Sequence, residues 1–334
     1  PLLSDVEALL ARYIPGRAWY HGGDRKVRHA RLVDVIPLRR VLPDAYLALV
    51  EIDYLDGDPQ RYLMSLAFAF GEQAAQIWDQ RPDTILCRVE GDAGGGVVFD
   101  AASSREYADA LINLMDDRKK LPGAAGVMKA ATTRRPAIPE GLEQGEMRST
   151  DNREGHTSIV FGDQFVLKLF RRIEPGVNPD LEIRRFLSNR TSFENLPVVL
   201  GWLEYQAGGE GATTLGIVQS YLPHEGEAWD RATGSLGRLF ETVRADGQLP
   251  EPEVPTGTLT SLARRVPPPG LAELFEEDLH SAEILGTRTA ELHLALASDS
   301  DDLDFRPEPF TTLAQRSLYQ SLRGEIRQAL SAAV

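Results

Sequence analysis

Cysteine is nearly absent from this sequence. The single Cys87 excludes an intrachain disulfide and a cysteine-held zinc ion. Basic residues are also in deficit, with 36 lysines and arginines against 50 aspartates and glutamates, a formal net charge of -14. That balance argues against duplex DNA or an anionic membrane as partner, since both attract basic surfaces. No apolar run reaches the roughly 18 residues that a transmembrane helix needs. The first residues, Pro1 to Glu7, show no basic segment followed by an apolar core, so no signal peptide is read there. They also lack an initiator methionine, which reads as a piece of something longer or a processed chain. A reducing cytoplasm is the compartment these absences favour.

What is present is an ordinary globular composition, 42% hydrophobic and 26% charged, over 334 residues. That length calls for two or three domains. Residues 2–14 place Leu2, Leu3, Val6, Leu9, Leu10, Tyr13 and Ile14 on one helical stripe, stopped by Pro15-Gly16. Strands are expected at 29–37, 45–54, 60–69 and 84–89, with hairpin chemistry at 54–58. Gly94-Gly95-Gly96 resembles a phosphate loop, but a strand rather than a helix follows it, so a hairpin turn is expected. A helix then opens with Ser103 as N-cap and Glu106 completing a capping box. Residues 132–150 read as a loop or strand connection.

The most informative run is Val166-Leu167-Lys168-Leu169-Phe170, a charge inside an apolar strand. A lysine there either sends its ammonium to water along a packed stem or meets a carboxylate. Glu182 is the expected partner, on a helix started by Asn178 as N-cap and Pro179 and running to about Arg190, with Ile183, Phe186 and Leu187 as its packing stripe. A strand lysine paired with a helix glutamate is how kinase-like folds hold the phosphates of ATP. The order fits: a polar turn over 151–158, a hairpin, the lysine strand, the helix, then strands at 198–205 and 213–221 around a turn at 208–211. Thr157 and Ser158 would help cradle phosphate beside a turn with only one glycine. Gln219, Ser220, Tyr221 and Leu222 sit where a connector would meet adenine. Beyond Pro223 the texture is helical, at about 224–244, 271–297 and 311–333, with Pro/Gly-rich separators at 247–257 and 267–270. His280 and His293 have no ligand partner at helical spacing, so no metal site is read. Trp19, Tyr20, Trp78, Trp202 and Trp229 read first as packing residues.

Asn178-Pro179-Asp180-Leu181-Glu182, Leu222-Pro223-His224-Glu225-Gly226-Glu227-Ala228-Trp229, the run 287–293 and the run 315–323 together resemble bacterial maltokinase. The same kinase domain also occurs fused behind trehalose synthase. The resemblance covers nearly the whole chain. It implies an α+β, protein-kinase-like (aminoglycoside-phosphotransferase-like) fold with a β-rich cap over 1–100, a kinase N-lobe with an intermediate segment over 101–222, and an incomplete helical C-lobe over 223–334. The activity it implies is transfer of the ATP γ-phosphoryl group to the anomeric hydroxyl of maltose, with ATP and Mg2+ as cofactors and a trehalose synthase domain or subunit as a partner. Lys168 and Glu182, with Thr157, Ser158, Gln219, Tyr221 and Leu222, would bind the nucleotide. Family members carry a His-Gly-Asp-x-His-x-Gly-Gln loop and a later Asp-Phe-Glu-Gly-Glu run. Neither occurs here, so no catalytic residue and no metal ligand is assigned, and the chain alone is expected to be inactive. Two other readings stand beside it: a non-catalytic docking module, and a small-molecule kinase with another acceptor.

Overall fold

The computed structural model describes residues 2–38, 45–91, 94–133, 146–152, 155–209, 211–246, 256–266, 272 and 275–332. Residues 247–255 of the separator expected at 247–257, the separator at 267–270, residues 271, 273 and 274 of the helix expected from 271, and residues 134–145 lie outside them, as do Arg153, Glu154 and Glu210 of the two expected turns. The chain divides into two compact units, Pro1–Arg185 with Asn195–Thr256, and Phe186–Glu194 with Gly257–Val334.

The first unit begins with helix α1 (Leu2–Tyr13) and an antiparallel sheet of β1 (Val27–Pro37), β2 (Ala45–Tyr54), β3 (Gln60–Phe70), β4 (Ile85–Gly91) and β5 (Gly94–Asp100), in the order β1-β2-β3-β5-β4. Side chains alternate across the pleat. Ala48, Val50, Ile52, Tyr62 and Met64 therefore face Leu10, Ile14 and Trp19, whereas Leu47, Leu49 and Leu63 join the larger core behind the sheet. Helix α2 (Gly71–Gln80) has no counterpart in the sequence reading, because its buried stripe is only Ala74 and Ile77. The three glycines do form a hairpin, with Gly91 opposite Gly94, and Gly94 takes the φ of +94° that glycine tolerates best. Helix α3 (Arg105–Asp116) starts one residue later than expected. Ser104, not Ser103, is its N-cap, accepting from the Tyr107 amide at 3.2 Å, so Glu106 falls short of the box position.

A second antiparallel sheet follows: β6 (Lys120–Pro122), β7 (Gly126–Thr132), β8 (Met147–Asn152), β9 (His156–Phe161), β10 (Phe165–Phe170), β12 (Val199–Ala207) and β13 (Thr213–Ser220). Its order is β6-β7-β12-β13-β10-β9-β8. Helix α4 (Pro179–Arg190) lies between β10 and β12 in sequence, so hairpin, lysine strand, helix and two further strands follow one another in the order read from the sequence. The hairpin β6–β7 and strand β8 were not read from the sequence. β7 alternates Met128 and Ala130 inward against small or polar residues, too weak a pattern to separate from a loop. The fold is α+β, with strand residues outnumbering helical ones in the first unit.

Two buried carboxylates join these sheets. Asp34 of β1 accepts from the amides of Ala124 and Gly126 at 2.6 and 2.8 Å and from the Tyr205 hydroxyl at 2.7 Å. A Cβ at Gly123 would stand 2.3 Å from this carboxylate, so the β6–β7 turn closes on it only as glycine. Arg171, 2% exposed, binds Asp100 of β5 at 2.8 Å and donates to the Thr157 hydroxyl at 2.7 Å and, more loosely, to the Leu63 carbonyl at 3.4 Å. Its guanidinium lies 4.9 Å from the centre of the Trp19 ring. The next two residues, Arg172 and Ile173, form β11 and pair with β3 of the first sheet. The unit ends in α5 (Ala228–Asp246), on which Trp229 and Phe240 are exposed.

The second unit contains the short α6 (Leu259–Leu262) and two long helices, α7 (Glu276–Leu296) and α8 (Thr312–Ala332). Phe186 stacks on Phe305 with ring centres 3.7 Å apart. No residue of α7 is buried, and Leu285, Leu294, Leu313 and Leu330 are all more than half exposed.

Replacing Arg171 by Met removes the cationic partner of the buried Asp100. Chemical denaturation is expected to show a loss of about 3–5 kcal/mol, most of it recovered by adding Asp100→Leu. Asp34→Ala removes the acceptor of the Val35, Ala124 and Gly126 amides and of the Tyr205 hydroxyl, each worth about 1–3 kcal/mol. Asp34→Asn, which keeps one acceptor oxygen, is expected to cost visibly less in the same assay.

Candidate functional site

Lys168 stands on β10 opposite Ser158 of β9 and Ile217 of β13. Residues directly opposite in an antiparallel pair share a face, so Ser158, Lys168, Ile217 and Gln219 lie on one side of the sheet. Phe165, Leu167 and Leu169 point the other way and are fully buried. The Lys168 side chain is 19% exposed, so its ammonium is sheltered but not sunk in the core.

Its partner is Asp180, at 3.2 Å, and not Glu182 as the sequence suggested. Helical phase explains the difference. Positions two apart on a helix point roughly 200° away from each other, so only one of the two can face the lysine. The helix start selects Asp180. Asn178 accepts from the Asp180 amide at 2.9 Å, and its own amide donates to Thr214 of β13 at 3.0 Å, fixing the first turn against the sheet. Leu181 takes the core-facing position at zero exposure, and Ile183, expected in the packing stripe, is exposed. Asp180 also binds Arg184 one turn on. Burial pushes its pKa up, but the Arg184 hydrogen bond and the charges of Lys168 and Arg184 outweigh burial and hold the carboxyl below its usual value. Its charge therefore stabilises the fold above the ordinary carboxylate range, and that stabilisation is lost only as pH falls through the lowered value.

A cavity of about 560 Å3 opens beside this pair. Lys168, Asp180, Asn178 and Thr214 line it together with Gly155, Arg172 and His21, the last carried by the cap segment before β1. The α4 N-terminus at this wall adds a favourable dipole for negative charge. Sequence reasoning missed Asp180, Arg172 and His21. Only Asp180 had a visible signal, as an acidic residue in the first turn after a cap.

The other expected residues fall into two groups. Thr157 and Ser158 belong to β9 rather than to a turn, and both are buried. The Thr157 hydroxyl accepts from Arg171, so its first role is in the clasp between sheets. At the far end, Gln219 is buried with an Oε1 that has no hydrogen-bond partner among the described residues. The Ser220 and Tyr221 amides are already used, donating to Val198 and Gln164 at 2.9 and 2.8 Å. Leu222 is half exposed, and its amide is the first in the connector with no such bond among the described residues. Among the described residues no three acidic, imidazole or thiol groups converge to hold a metal ion, and no helix is long and apolar enough to cross a membrane.

Three solved structures of glucosamine kinase are similar to this chain. One, glucosamine kinase in complex with glucosamine, ADP and inorganic phosphate, is 20% identical with a TM-score of 0.49, covering 96% of this chain and 58% of that one. Crystal form B is 19% identical with a TM-score of 0.44, over 86% of this chain and 51% of that one. Crystal form A is 21% identical, also at 0.44, over 89% and 53%. The chain thus spans little more than half the length of these structures. The family model for the maltokinase N-terminal cap domain matches residues 13–103, the segment that ends α1, builds the first sheet and leads into α3. The match covers the cap region, and with it the chain fits a maltokinase-like protein.

Proposed function

We propose that this chain is the cap and nucleotide-binding part of a kinase that transfers the γ-phosphoryl group of ATP to the anomeric hydroxyl of maltose. The observation that carries the reading is the ion pair between Lys168 on β10 and Asp180 on α4, in a sheet of kinase-like order behind a maltokinase cap. Lys168 binds the nucleotide phosphates as a point charge, and Asp180 holds the ammonium in place without neutralising its reach into the cavity. Glu182 has no ion-pair partner among the described residues in this arrangement, so the orienting role expected of it passes to Asp180. The connector at Tyr221–Leu222 receives the adenine edge. There the Leu222 amide donates, and Gln219 stands near the end of the adjoining strand.

In the transfer, the anomeric oxygen forms a bond to the γ-phosphorus while the bond to the bridging oxygen of ADP breaks. The hydroxyl proton leaves to a base. No residue of this chain is proposed as that base or as a ligand for Mg2+, and no step is assigned to the metal. The apolar faces left open on α7 and α8 support their reading as part of a helical lobe that packs against further protein, a trehalose synthase domain or subunit among the candidates.

Lys168→Ala is expected to abolish the shift in melting temperature that ATP gives the chain. An unchanged shift would assign the cavity to something other than a nucleotide. The unmodified chain, incubated with ATP, Mg2+ and maltose, is expected to form no maltose 1-phosphate detectable by phosphorus NMR. Sustained turnover would mean that the base and metal ligands are present in these residues after all.

A further inference from the structure

We propose that His21, on the cap, is a ligand for the nucleotide's polyphosphate and takes up a proton as the polyphosphate binds. The inference rests on the reading of the Lys168 cavity as a nucleotide site. His21 is exposed on the segment between α1 and β1 and lines that cavity. Its ring is held, not free to swing. Nδ1 lies 3.0 Å from the Trp19 carbonyl, and the His21 amide reaches the Tyr62 hydroxyl at 3.4 Å. A carbonyl only accepts, so Nδ1 carries the hydrogen and Nε2 is left as the outward nitrogen, without a partner among the described residues.

The ring also meets the turn that would cover phosphates. A Cβ on Gly155 would stand 2.9 Å from the His21 Cε1, and Gly155 itself takes a φ of +81°. The Gly155 carbonyl is in turn held by the Arg171 amide at 2.7 Å. Cap, turn and lysine strand therefore converge on one wall, and only glycine lets the imidazole come this close.

Charge decides what the wall accepts. The groups facing His21 around the cavity are His156 and Lys168 on β9 and β10, Arg172 and Glu174 on and after β11, and Asp180 on α4. Tyr62 of β3 sits behind the ring. Both carboxylates are already engaged, Asp180 by Lys168 and Arg184 and Glu174 by Arg172 at 2.6 Å. A neutral imidazole with its hydrogen on Nδ1 presents a lone pair at Nε2 and repels phosphate oxygen. One proton taken from solvent turns that nitrogen into a charged donor, and a polyanion in the cavity supplies the driving force.

The test is calorimetry on the whole chain with ATP and with AMP, near neutral pH, in two buffers of different ionisation enthalpy. The expected result is a buffer-dependent heat for ATP, reporting proton uptake. His21→Gln should bind ATP about tenfold more weakly with that dependence gone and AMP binding unchanged. His21→Lys should restore the affinity without proton uptake, which a purely structural imidazole would not allow. If His21→Gln keeps wild-type ATP affinity and wild-type proton uptake while Lys168→Ala destroys binding, the role of His21 is overturned and the nucleotide site stands. If Lys168→Ala binds ATP as the wild type does, or the wild type does not bind it, both readings fall.

Discussion

The structure of the first unit depends on charges taken out of water and satisfied across two sheets. Arg171 is the central case. It sits immediately after the lysine strand, fully buried, and answers to Asp100 of the cap, Thr157 of the neighbouring strand and the face of Trp19. A buried guanidinium is tolerated only when most of its donors are met, and here each of its contacts comes from a different element. Asp34 makes the mirror arrangement with an anion, gathering two amides and a hydroxyl from the far edge of the second sheet. One clasp lies at each end of the seam, and the apolar core between them is continuous.

This seam fixes the geometry of the candidate site. Gly155 is tied by its carbonyl to Arg171, and the same turn lies under the ring of His21. Lys168 is three residues upstream of the clasp, on the strand that leads into it. The cavity walls are thus set by contacts that have nothing to do with ligand, which is how a binding site keeps its shape before anything arrives. The proposed phosphate-binding groups come from the cap, from β10–β11 and from α4, so none of these elements builds the site alone.

Much of this arrangement was legible in the sequence, and the exceptions share a physical cause. The strand around Lys168, the Asn178-Pro179 helix start and the strands flanking Gly208-Gly209 carry strong local signals, and each is found within a residue or two of its expected place. The resemblance to maltokinase pointed to the cap that the family match then located. What could not be read were properties of phase and of tertiary partnership. Asp180 and Glu182 are both acidic and both near the helix start, and only the docking of α4 on Thr214 decides which one meets the lysine. Arg171 and Asp34 look like surface charges in a one-dimensional pattern. Helix α2 and the β6–β7 hairpin bury too few side chains to announce themselves.

Strand β11 carries a consequence for how such a protein can be taken apart. After β10 the backbone crosses into the other sheet for two residues, pairs with β3, and leaves again. The cap is therefore discontinuous: its sheet is completed by a stretch some seventy residues beyond its apparent end at Asp100. A recombination or cloning boundary drawn near residue 100 would cut through one folding body, leaving an unpaired strand edge on one product and a bare guanidinium on the other. Shuffling of caps among relatives, in evolution or at the bench, has to carry the Arg171–Ile173 segment along with the domain it appears to follow.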